Sequence, residues 1–276
     1  MQIMELKPLD DVTVTDYRIS TMTVTGNVNS VIELQSLYDF IDVDVYETVR
    51  YVEYGSTKTN QCYKGHKASK TKKEKPMGKR FDNQMTLHMW DGTYLYNVKL
   101  FKNGKIQMTG VKDREGAHKM VDELVKIIKI GHLACKNITA DIENTANSEL
   151  CTRLINCDFR INYRINRAAL HQLLVKNYNM ICTYEPCIYQ GVKVSYFFNE
   201  QNLPCGKCKC ATKCTGKGPK TICKKVTVAA FQSGCVTITG AVTMEQINSM
   251  YELFSGILIK EARSVHQPTY ELVVKS

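Results

Sequence analysis

Apolar and polar residues alternate in a stretch near the middle of the first half of the chain. Val98 and Leu100 precede an aromatic residue and a turn at Gly104, after which Ile106 and Met108 resume the alternation. A period of two is typical of a strand with one buried face, and an Asn-Gly pair is typical of a tight turn. The stretch therefore predicts a β-hairpin whose second strand ends at Thr109 and Gly110.

The same arrangement recurs 130 residues later, where 231–240 repeats the order of features in 101–110. After each Thr-Gly the apolar period changes from two to about 3.6, which predicts that a helix begins there. Thr243 and Gln246 are spaced as a capping box for the second helix. An internal duplication indicates a fold made of two copies of one unit. The predicted buried stripes are Ala117, Met120, Val121, Leu124 and Ile128, and then Ile247, Met250, Tyr251, Phe254 and Ile257.

Upstream of each hairpin, a strand-like run is followed by a shorter helix. The run at 17–26 precedes Ser30 and Glu33, which have capping-box spacing, and the run at 152–161 precedes Asn166, a typical N-cap residue. Each copy thus reads strand, helix, several strands, helix. We predict an α+β fold.

Phe101 and Phe231 are exceptions to the alternation, because they fall on the face that otherwise carries polar residues. One interpretation is that each ring folds over the edge of its sheet, which is common for an isolated phenylalanine. The other is a paired functional role. The same placement in both copies favours the second.

Composition predicts a soluble, unsecreted, reduced protein. No run of eighteen apolar residues is present, and the first residues lack the apolar segment of a signal peptide. The net charge of +10 is concentrated in two segments: 58–80 carries a net +8 and 203–225 a net +7. Such local charge suggests contact with a polyanion, although the Lys-rich segment 58–80 is equally typical of a solvated loop or a nuclear-import signal.

The chain has twelve cysteines, and five of them cluster in a Gly/Lys-rich segment with few apolar residues of its own. A metal ion bound by several of these cysteines would order such a loop, and four thiolates are the usual ligands of structural zinc. We predict that four of five residues bind zinc and that one is spare: Cys205, Cys208, Cys210, Cys214 and Cys223. A disordered, reduced loop is the alternative. The scattered cysteines, which include Cys151, Cys157 and Cys187, are expected to pack as small apolar residues.

The two hairpin motifs resemble the repeats of TATA-box-binding proteins. Lys79-Arg80-Phe81, Cys157-Asp158 and 184–191 strengthen the resemblance, which covers residues 17–130 and 150–262. Basic inserts at 55–80 and 203–225, an N-terminal extension at 1–16 and a tail at 263–276 complete the expected organisation. The Cys/Lys-rich insert resembles the version found in large nucleocytoplasmic DNA viruses.

The resemblance implies a saddle in which two pseudo-symmetric repeats share one curved antiparallel sheet, with helices on its convex face. The other face would bind and bend A/T-rich double-stranded DNA in the minor groove. Opening base steps costs a few kcal/mol per step in the TATA-binding protein itself, from which we carry this value over. The implied wedges are Phe81, Phe101, Tyr189 and Phe231, where Tyr189 replaces the usual phenylalanine. Implied groove residues are Gln107, Thr109, Thr152, Leu154, Thr237 and Thr239, and phosphate contacts are expected at Lys105, Lys207, Lys209 and Lys213.

The implied partners are general transcription factors and RNA polymerase, in the nucleus or in a cytoplasmic viral factory, with no membrane and no small-molecule substrate. Catalysis has little support, since the six histidines follow no metal-ligand or triad spacing. Two alternatives stay open. The fold could be an accessory domain of a nucleic-acid-processing enzyme, or a protein-interaction scaffold that does not bend DNA.

Overall fold

A computed structural model of the chain describes residues 2–6, 9, 11–55, 62–65, 83–135, 137–199, 205–208, 210, 214–216, 223–268 and 270–274. The helices in this part of the chain are α1 (Leu34–Phe40), α2 (Arg114–Cys135), α3 (Arg167–Lys176), α4 (Met244–Lys260) and α5 (Ala262–Val265). The strands are β1 (Gln2–Leu6), β2 (Arg18–Asn27), β3 (Val49–Tyr54), β4 (Cys62–Gly65), β5 (Gln84–Trp90), β6 (Leu95–Phe101), β7 (Lys105–Val111), β8 (Cys151–Arg160), β9 (Ile181–Thr183), β10 (Val192–Phe198), β11 (Lys224–Ala230), β12 (Cys235–Ala241) and β13 (Tyr270–Val274).

The chain divides into two compact units. The N-terminal unit comprises Thr21–Arg153, and the C-terminal unit comprises Leu154–Ser276 together with Met1–Ser20. Strand order in the N-terminal unit is β4-β3-β5-β6-β7-β2, and in the C-terminal unit it is β8-β12-β11-β10-β9. Apart from the extra edge strand β4, the second order repeats the first. All these pairings are antiparallel, so the α+β prediction is confirmed.

The duplicated hairpins are β6–β7 and β11–β12, as the alternation predicted. Val98 pairs with Met108 in the first and Val228 with Ile238 in the second, and all four side chains are buried. At the turns, Gly104 and Gly234 have φ values of +76° and +81°, in the left-handed region that favours glycine. The period-two pattern therefore fixed which face of each hairpin is buried.

Helices α2 and α4 cover the buried faces, in contact with β7 and β12 respectively. The predicted stripe of α2 is entirely buried, and in α4 only Tyr251 is half-exposed. The capping box of α4 is confirmed, because the Gln246 backbone N–H donates to Thr243 Oγ1 at 3.2 Å. Asn166 likewise caps α3, accepting from the Ala169 N–H at 3.1 Å.

The capping box predicted at Ser30 and Glu33 is wrong. Glu33 is itself the N-cap of α1 and makes no side-chain capping bond. Ser30 Oγ instead accepts hydrogen bonds from the Thr139 hydroxyl at 2.6 Å and the Asp141 N–H at 3.1 Å. These partners lie more than 100 residues away in sequence, so the local spacing carried no information about them.

The segment that was expected to be an N-terminal extension is attached to the C-terminal unit. The Thr15 N–H donates to the Arg160 carbonyl at 2.9 Å, and the Thr13 N–H donates to Asn162 Oδ1 at 3.0 Å. Strand β1, near the N-terminus, pairs along five residues with β13, near the C-terminus. Both termini thus take part in the C-terminal unit.

The described part of the basic insert contributes β4, whose Lys64 binds the end of α1. Lys64 Nζ donates to the carbonyls of Tyr38 at 2.6 Å, Asp39 at 3.2 Å and Ile41 at 2.7 Å. The ammonium group also lies 4.7 Å from the centre of the Tyr38 ring. A cation at the C-terminal end of a helix satisfies carbonyls that have no partner within the helix.

Candidate nucleic-acid interface

Each unit has one sheet face that the helices leave uncovered, which we call its open face. Every side chain named for these faces is half-exposed except Ala229, which is buried. In the N-terminal unit the open face carries Thr25, Thr86, His88, Asn97, Lys99, Phe101, Gln107 and Thr109. In the C-terminal unit it carries Asn156, Asp158, Lys193, Ser195, Thr227, Ala229, Thr237 and Thr239.

The residues predicted to line a groove occupy corresponding places on the two open faces. Gln107 pairs with Thr25 and Lys99, and Thr237 pairs with Asp158 and Ala229. One step further along the strand, Thr109 lies beside Asn97, and Thr239 lies between Asn156 and Thr227. Both faces are therefore lined mainly by polar side chains at corresponding register positions.

Thr152 and Leu154 lie near the start of β8, and both are half-buried. Asn156 and Asp158 of the same strand pair with the open-face threonines of β12. Alternation along the strand extends that face to Leu154 and Thr152.

Phe101 and Phe231 stand at the same point of the two hairpin turns. The Gly104 N–H donates to the Phe101 carbonyl at 2.9 Å, and the Gly234 N–H donates to the Phe231 carbonyl at 3.0 Å. Both rings are half-exposed, as expected for aromatic side chains on a face that no helix covers.

In the C-terminal unit the two implied wedge residues are brought together. The ring centres of Tyr189 and Phe231 lie 5.8 Å apart with their planes inclined by 60°, a favourable geometry for an aromatic pair. Tyr189 is 38% exposed, and Lys193 Nζ lies 4.5 Å from the centre of its ring. Phe81, the implied partner of Phe101, lies outside the described residues.

Sequence reasoning missed an ion pair at the open face of the C-terminal unit. Asp158 accepts from Arg18 Nε at 2.8 Å and from the Ser20 hydroxyl at 2.6 Å. Burial alone would raise the pKa of Asp158, but these hydrogen bonds outweigh burial and hold the pKa below its usual range. The face therefore carries an ionised carboxylate near neutral pH. The two residues lie 140 positions apart, so no local pattern could have revealed the contact.

Beside Phe101 a cavity of about 500 Å³ opens on the N-terminal unit. Two cations line it, Lys105 from β7 and Arg153 from β8, and Arg153 Nε donates to Thr25 Oγ1 at 2.8 Å. Lys105 was expected to contact phosphate, whereas Arg153 had no sequence signal. Together they give the edge of this open face a positive charge.

The described part of the Cys/Lys-rich insert brings four cysteines together. The sulfur atoms of Cys208, Cys210, Cys214 and Cys223 all lie within 4.8 Å of one another and could hold a metal ion. A tetrahedral zinc site with Zn–S bonds of about 2.3 Å has sulfur atoms about 3.8 Å apart, which fits this grouping. Cys205 lies outside the cluster and is the spare thiol that the count of five required.

Neighbouring groups shift the pKa values of these thiols in opposite directions. The Cys210 backbone N–H donates to Cys208 Sγ at 3.3 Å, and this hydrogen bond lowers the pKa of Cys208 to about 7, whereas hydrogen bonds with Cys208 and Cys223 raise the pKa of Cys210 and burial raises that of Cys223. Asn199 Nδ2 lies 3.5 Å from Cys223 Sγ as an outer partner. A thiol that ionises near neutral pH binds a metal with little competition from protons.

Two hydrogen bonds attach this cluster to the β10–β11 hairpin. The Phe197 N–H donates to the Gly206 carbonyl at 2.8 Å, and the Lys225 N–H donates to the Gly216 carbonyl at 2.9 Å. Elsewhere, the expectation for scattered cysteines holds for Cys157, which is buried, but is wrong for Cys151 and Cys187, which are exposed.

Although the insert lies between Tyr189 and Phe231 in the sequence, the fold separates it from both residues. It joins Phe198 to Lys224, and the aromatic pair lies beyond the other end of the same two strands, about 20 Å away at roughly 3.3 Å per residue. Lys207 Nζ donates to Asn179 Oδ1 in the turn after α3. Lys209 and Lys213 lie outside the described residues.

Among the described residues, no helix has both the length and the apolar character needed to cross a membrane.

No protein-family model matches the chain. A curated protein of Acanthamoeba polyphaga mimivirus, named TATA-box-binding protein-like, is 27% identical over 264 residues, which cover 90% of this chain. The resemblance to TATA-box-binding proteins is confirmed. It extends over both units rather than over one hairpin.

The chain spans 66% of the length of that mimivirus TATA-box-binding protein-like relative. Among solved structures, Methanococcus jannaschii TBP is similar over 90% of this chain and 99% of its own length. That similarity has a TM-score of 0.49 and a sequence identity of 16%.

Proposed function

We propose that this chain is a TATA-box-binding-protein-like transcription initiation factor that binds A/T-rich double-stranded DNA through its open faces. The observation that carries the proposal is the duplication of an aromatic residue at one point of two hairpins. Phe101 and Phe231 lie on faces that no helix covers, beside threonines at corresponding register positions. The name of the mimivirus relative supports the same function.

The aromatic side chains would act as wedges between base pairs. A wedge unstacks a base step and kinks the duplex, and the bent duplex then contacts more protein surface. The Tyr189–Phe231 pair supplies two adjacent rings in the C-terminal unit, and Phe101 with Phe81 would supply the second wedge. In the family, the two units form a saddle with helices on its convex side, and we propose that arrangement for this chain.

Short side chains between the wedges suit the minor groove of A/T-rich DNA. The minor-groove edge of A·T pairs presents acceptors only, whereas G·C pairs add the guanine amino group. Thr109, Thr239 and Thr237 present methyl and hydroxyl groups that are short enough for a shallow groove. Gln107 is longer and would change the preference at one position of the bound site.

Contacts to phosphates would come from cations at the edges of the open faces. Lys105 and Arg153 line the cavity beside Phe101, and Lys193 lies over the ring of Tyr189. The lysines of the Cys-rich insert, including Lys207, Lys209 and Lys213, would reach DNA farther from the wedge. Such contacts raise affinity for any sequence and make binding dependent on salt.

We also propose that the four clustered cysteines bind one structural zinc ion. The fit rests on their mutual distances and on the two hydrogen bonds that attach the loop to the hairpin. Zinc would fix the loop between β10 and β11 and would take no part in a reaction. In this proposal the chain is not an enzyme, and it recruits general transcription factors and RNA polymerase in a nucleus or viral factory.

A set of three duplexes tests DNA binding and its groove at once. We expect tight binding to an A/T-rich duplex and to the same duplex with A·T pairs replaced by inosine·C, which presents a similar minor groove. G·C pairs at those positions should weaken binding by at least tenfold. Equal loss with inosine·C and G·C would show major-groove reading and contradict the proposal. Strand cleavage would favour an enzyme, and lack of duplex binding would favour a scaffold.

A further inference from the structure

The Tyr189–Phe231 pair sits directly over Gly191. A Cβ atom added to Gly191 would lie 2.8 Å from Tyr189 Cε1 and 3.1 Å from Phe231 Cε1, closer than ordinary contacts allow. The position of the Tyr189–Phe231 pair therefore depends on the backbone conformation of the loop at 184–191, which contains Tyr189.

This loop has few internal means of holding its shape. Residues 185–190 are all exposed, and Ile188 is 82% exposed. Its own hydrogen bonds form one turn, in which the N–H groups of Ile188 and Tyr189 both donate to the Glu185 carbonyl at 2.9 Å, and one side-chain bond, from Gln190 Nε2 to the Pro186 carbonyl at 2.9 Å. A loop of this kind samples many conformations unless another element anchors it.

Arg167, the first residue of α3, makes the contacts that anchor the loop. Its Nη1 atom donates to the Gln190 carbonyl at 2.6 Å and to Gln190 Oε1 at 2.8 Å. Its guanidinium group also lies 5.5 Å from the centre of the Tyr184 ring. One side chain thus contacts both ends of the loop, and Tyr189 lies directly before the residue that it holds.

The location of Arg167 is unfavourable for the helix itself. A cation in the first turn opposes the helix dipole, which favours anions there. The neighbouring Asn166 already caps α3. The contacts of Arg167 with the loop are thus the interactions in the structure that account for an arginine at this place.

We infer that Arg167 is a positioning residue for the aromatic wedge of the C-terminal unit, an inference that rests on the proposed DNA-binding function. By fixing Gln190 and Tyr184 it holds Tyr189 against Phe231 before DNA binds. An element that is ordered in advance loses less conformational entropy on binding. Arg167 would therefore raise affinity without contacting DNA.

Arg167→Ala tests this inference, with Arg263→Ala as the matched control. Arg263 is an exposed arginine of α5 in the same unit, and its loss changes the net charge equally. Hydrogen exchange of the free protein at the amides of Ile188 and Tyr189 should become at least tenfold faster in Arg167→Ala and stay unchanged in Arg263→Ala. Arg167→Lys should not restore slow exchange, because an ammonium group lacks the planar guanidinium that lies over Tyr184. Exchange unchanged in Arg167→Ala would overturn the inference.

Affinity for an A/T-rich duplex distinguishes a positioning role from a phosphate contact. We expect about tenfold weaker binding by Arg167→Ala with the slope of log K against log salt unchanged. A slope smaller by about 0.9, the value of one lost phosphate contact, would overturn the positioning role. If the wild-type protein binds no duplex, the proposed function fails, and the exchange result still decides whether Arg167 orders the loop.

Discussion

Loss of one cysteine from the metal cluster should destabilise the C-terminal unit, whereas loss of the spare cysteine should not. In the structure, Cys214 is one of four thiols within 4.8 Å of one another, and Cys205 is not. Both are half-buried, so replacement by serine removes similar packing. Cys214→Ser is therefore the test and Cys205→Ser its matched control.

The expected size of the effect follows from the segment that the metal closes. Cys208 and Cys223 are the first and last ligands, and closing a loop of about 15 residues stabilises a protein by about 3 kcal/mol. For a domain of about 150 residues this corresponds to a fall in Tm of roughly 6–12 °C. Removal of metal by a chelator should lower the Tm of the wild-type protein by a similar amount.

Calorimetry with and without chelator, together with elemental analysis, measures this effect. The wild-type protein and Cys205→Ser should contain about one zinc ion and respond to the chelator, since a structural site needs four ligands. Cys214→Ser should have lost both properties. Zinc-free wild-type protein, or equal Tm values for the two variants in the absence of chelator, would refute the reasoning.

Three further changes test the fold. Lys64→Met removes the donor to three carbonyls at the C-terminal end of α1, two in the helix and one at its C-cap, and should lower the free energy of unfolding by about 1.5–3 kcal/mol. Lys102→Met on the surface should change it by less than about 0.5 kcal/mol, as urea titration would measure. Gly131→Ala puts a Cβ 2.5 Å from Ile138 Cδ1 and should destabilise by about 1–3 kcal/mol, but Gly256→Ala, with open space around it, should stabilise by up to about 1 kcal/mol. Because the folded-state pKa of Asp158 is lowered, its contribution is present above about pH 4 and is lost as pH falls through the folded pKa. Asp158→Asn should therefore lower stability at pH 7 by up to about 1 kcal/mol, with the difference disappearing on acid titration; a difference constant with pH would contradict this.

The sequence was sufficient to predict the elements that depend on local periodicity. Alternation predicted the buried face of both hairpins, and the Thr243–Gln246 spacing predicted the start of α4. These features succeed because a strand or a helix cap involves residues a few positions apart. The duplication added the correspondence between Phe101 and Phe231, which no single hairpin would have shown.

Contacts between distant segments could not be predicted in the same way. Ser30 was assigned to a helix cap and instead binds Thr139, and the Arg18–Asp158 pair joins residues 140 positions apart. Cysteine spacing indicated a four-ligand site, but only the folded loop showed which four thiols lie together and that Cys205 lies outside them. Nor does the order of residues along the chain show that the Cys-rich insert lies at the opposite end of β10 and β11 from the Tyr189–Phe231 pair.

The most direct test of the central claim is the bend angle of an A/T-rich duplex, measured by energy transfer between labels at its ends. The wild-type protein should bend the duplex, because wedges hold base steps open. Phe101→Ala and Phe231→Ala should each reduce the bend angle, and the double variant should abolish the bend. Because both rings are half-exposed, the free energy of unfolding of each variant should change by less than about 1 kcal/mol. An unchanged bend in the double variant, or a loss of several kcal/mol of stability with the bend retained in the remaining complex, would contradict the account and show that both rings serve only to pack the sheet edges.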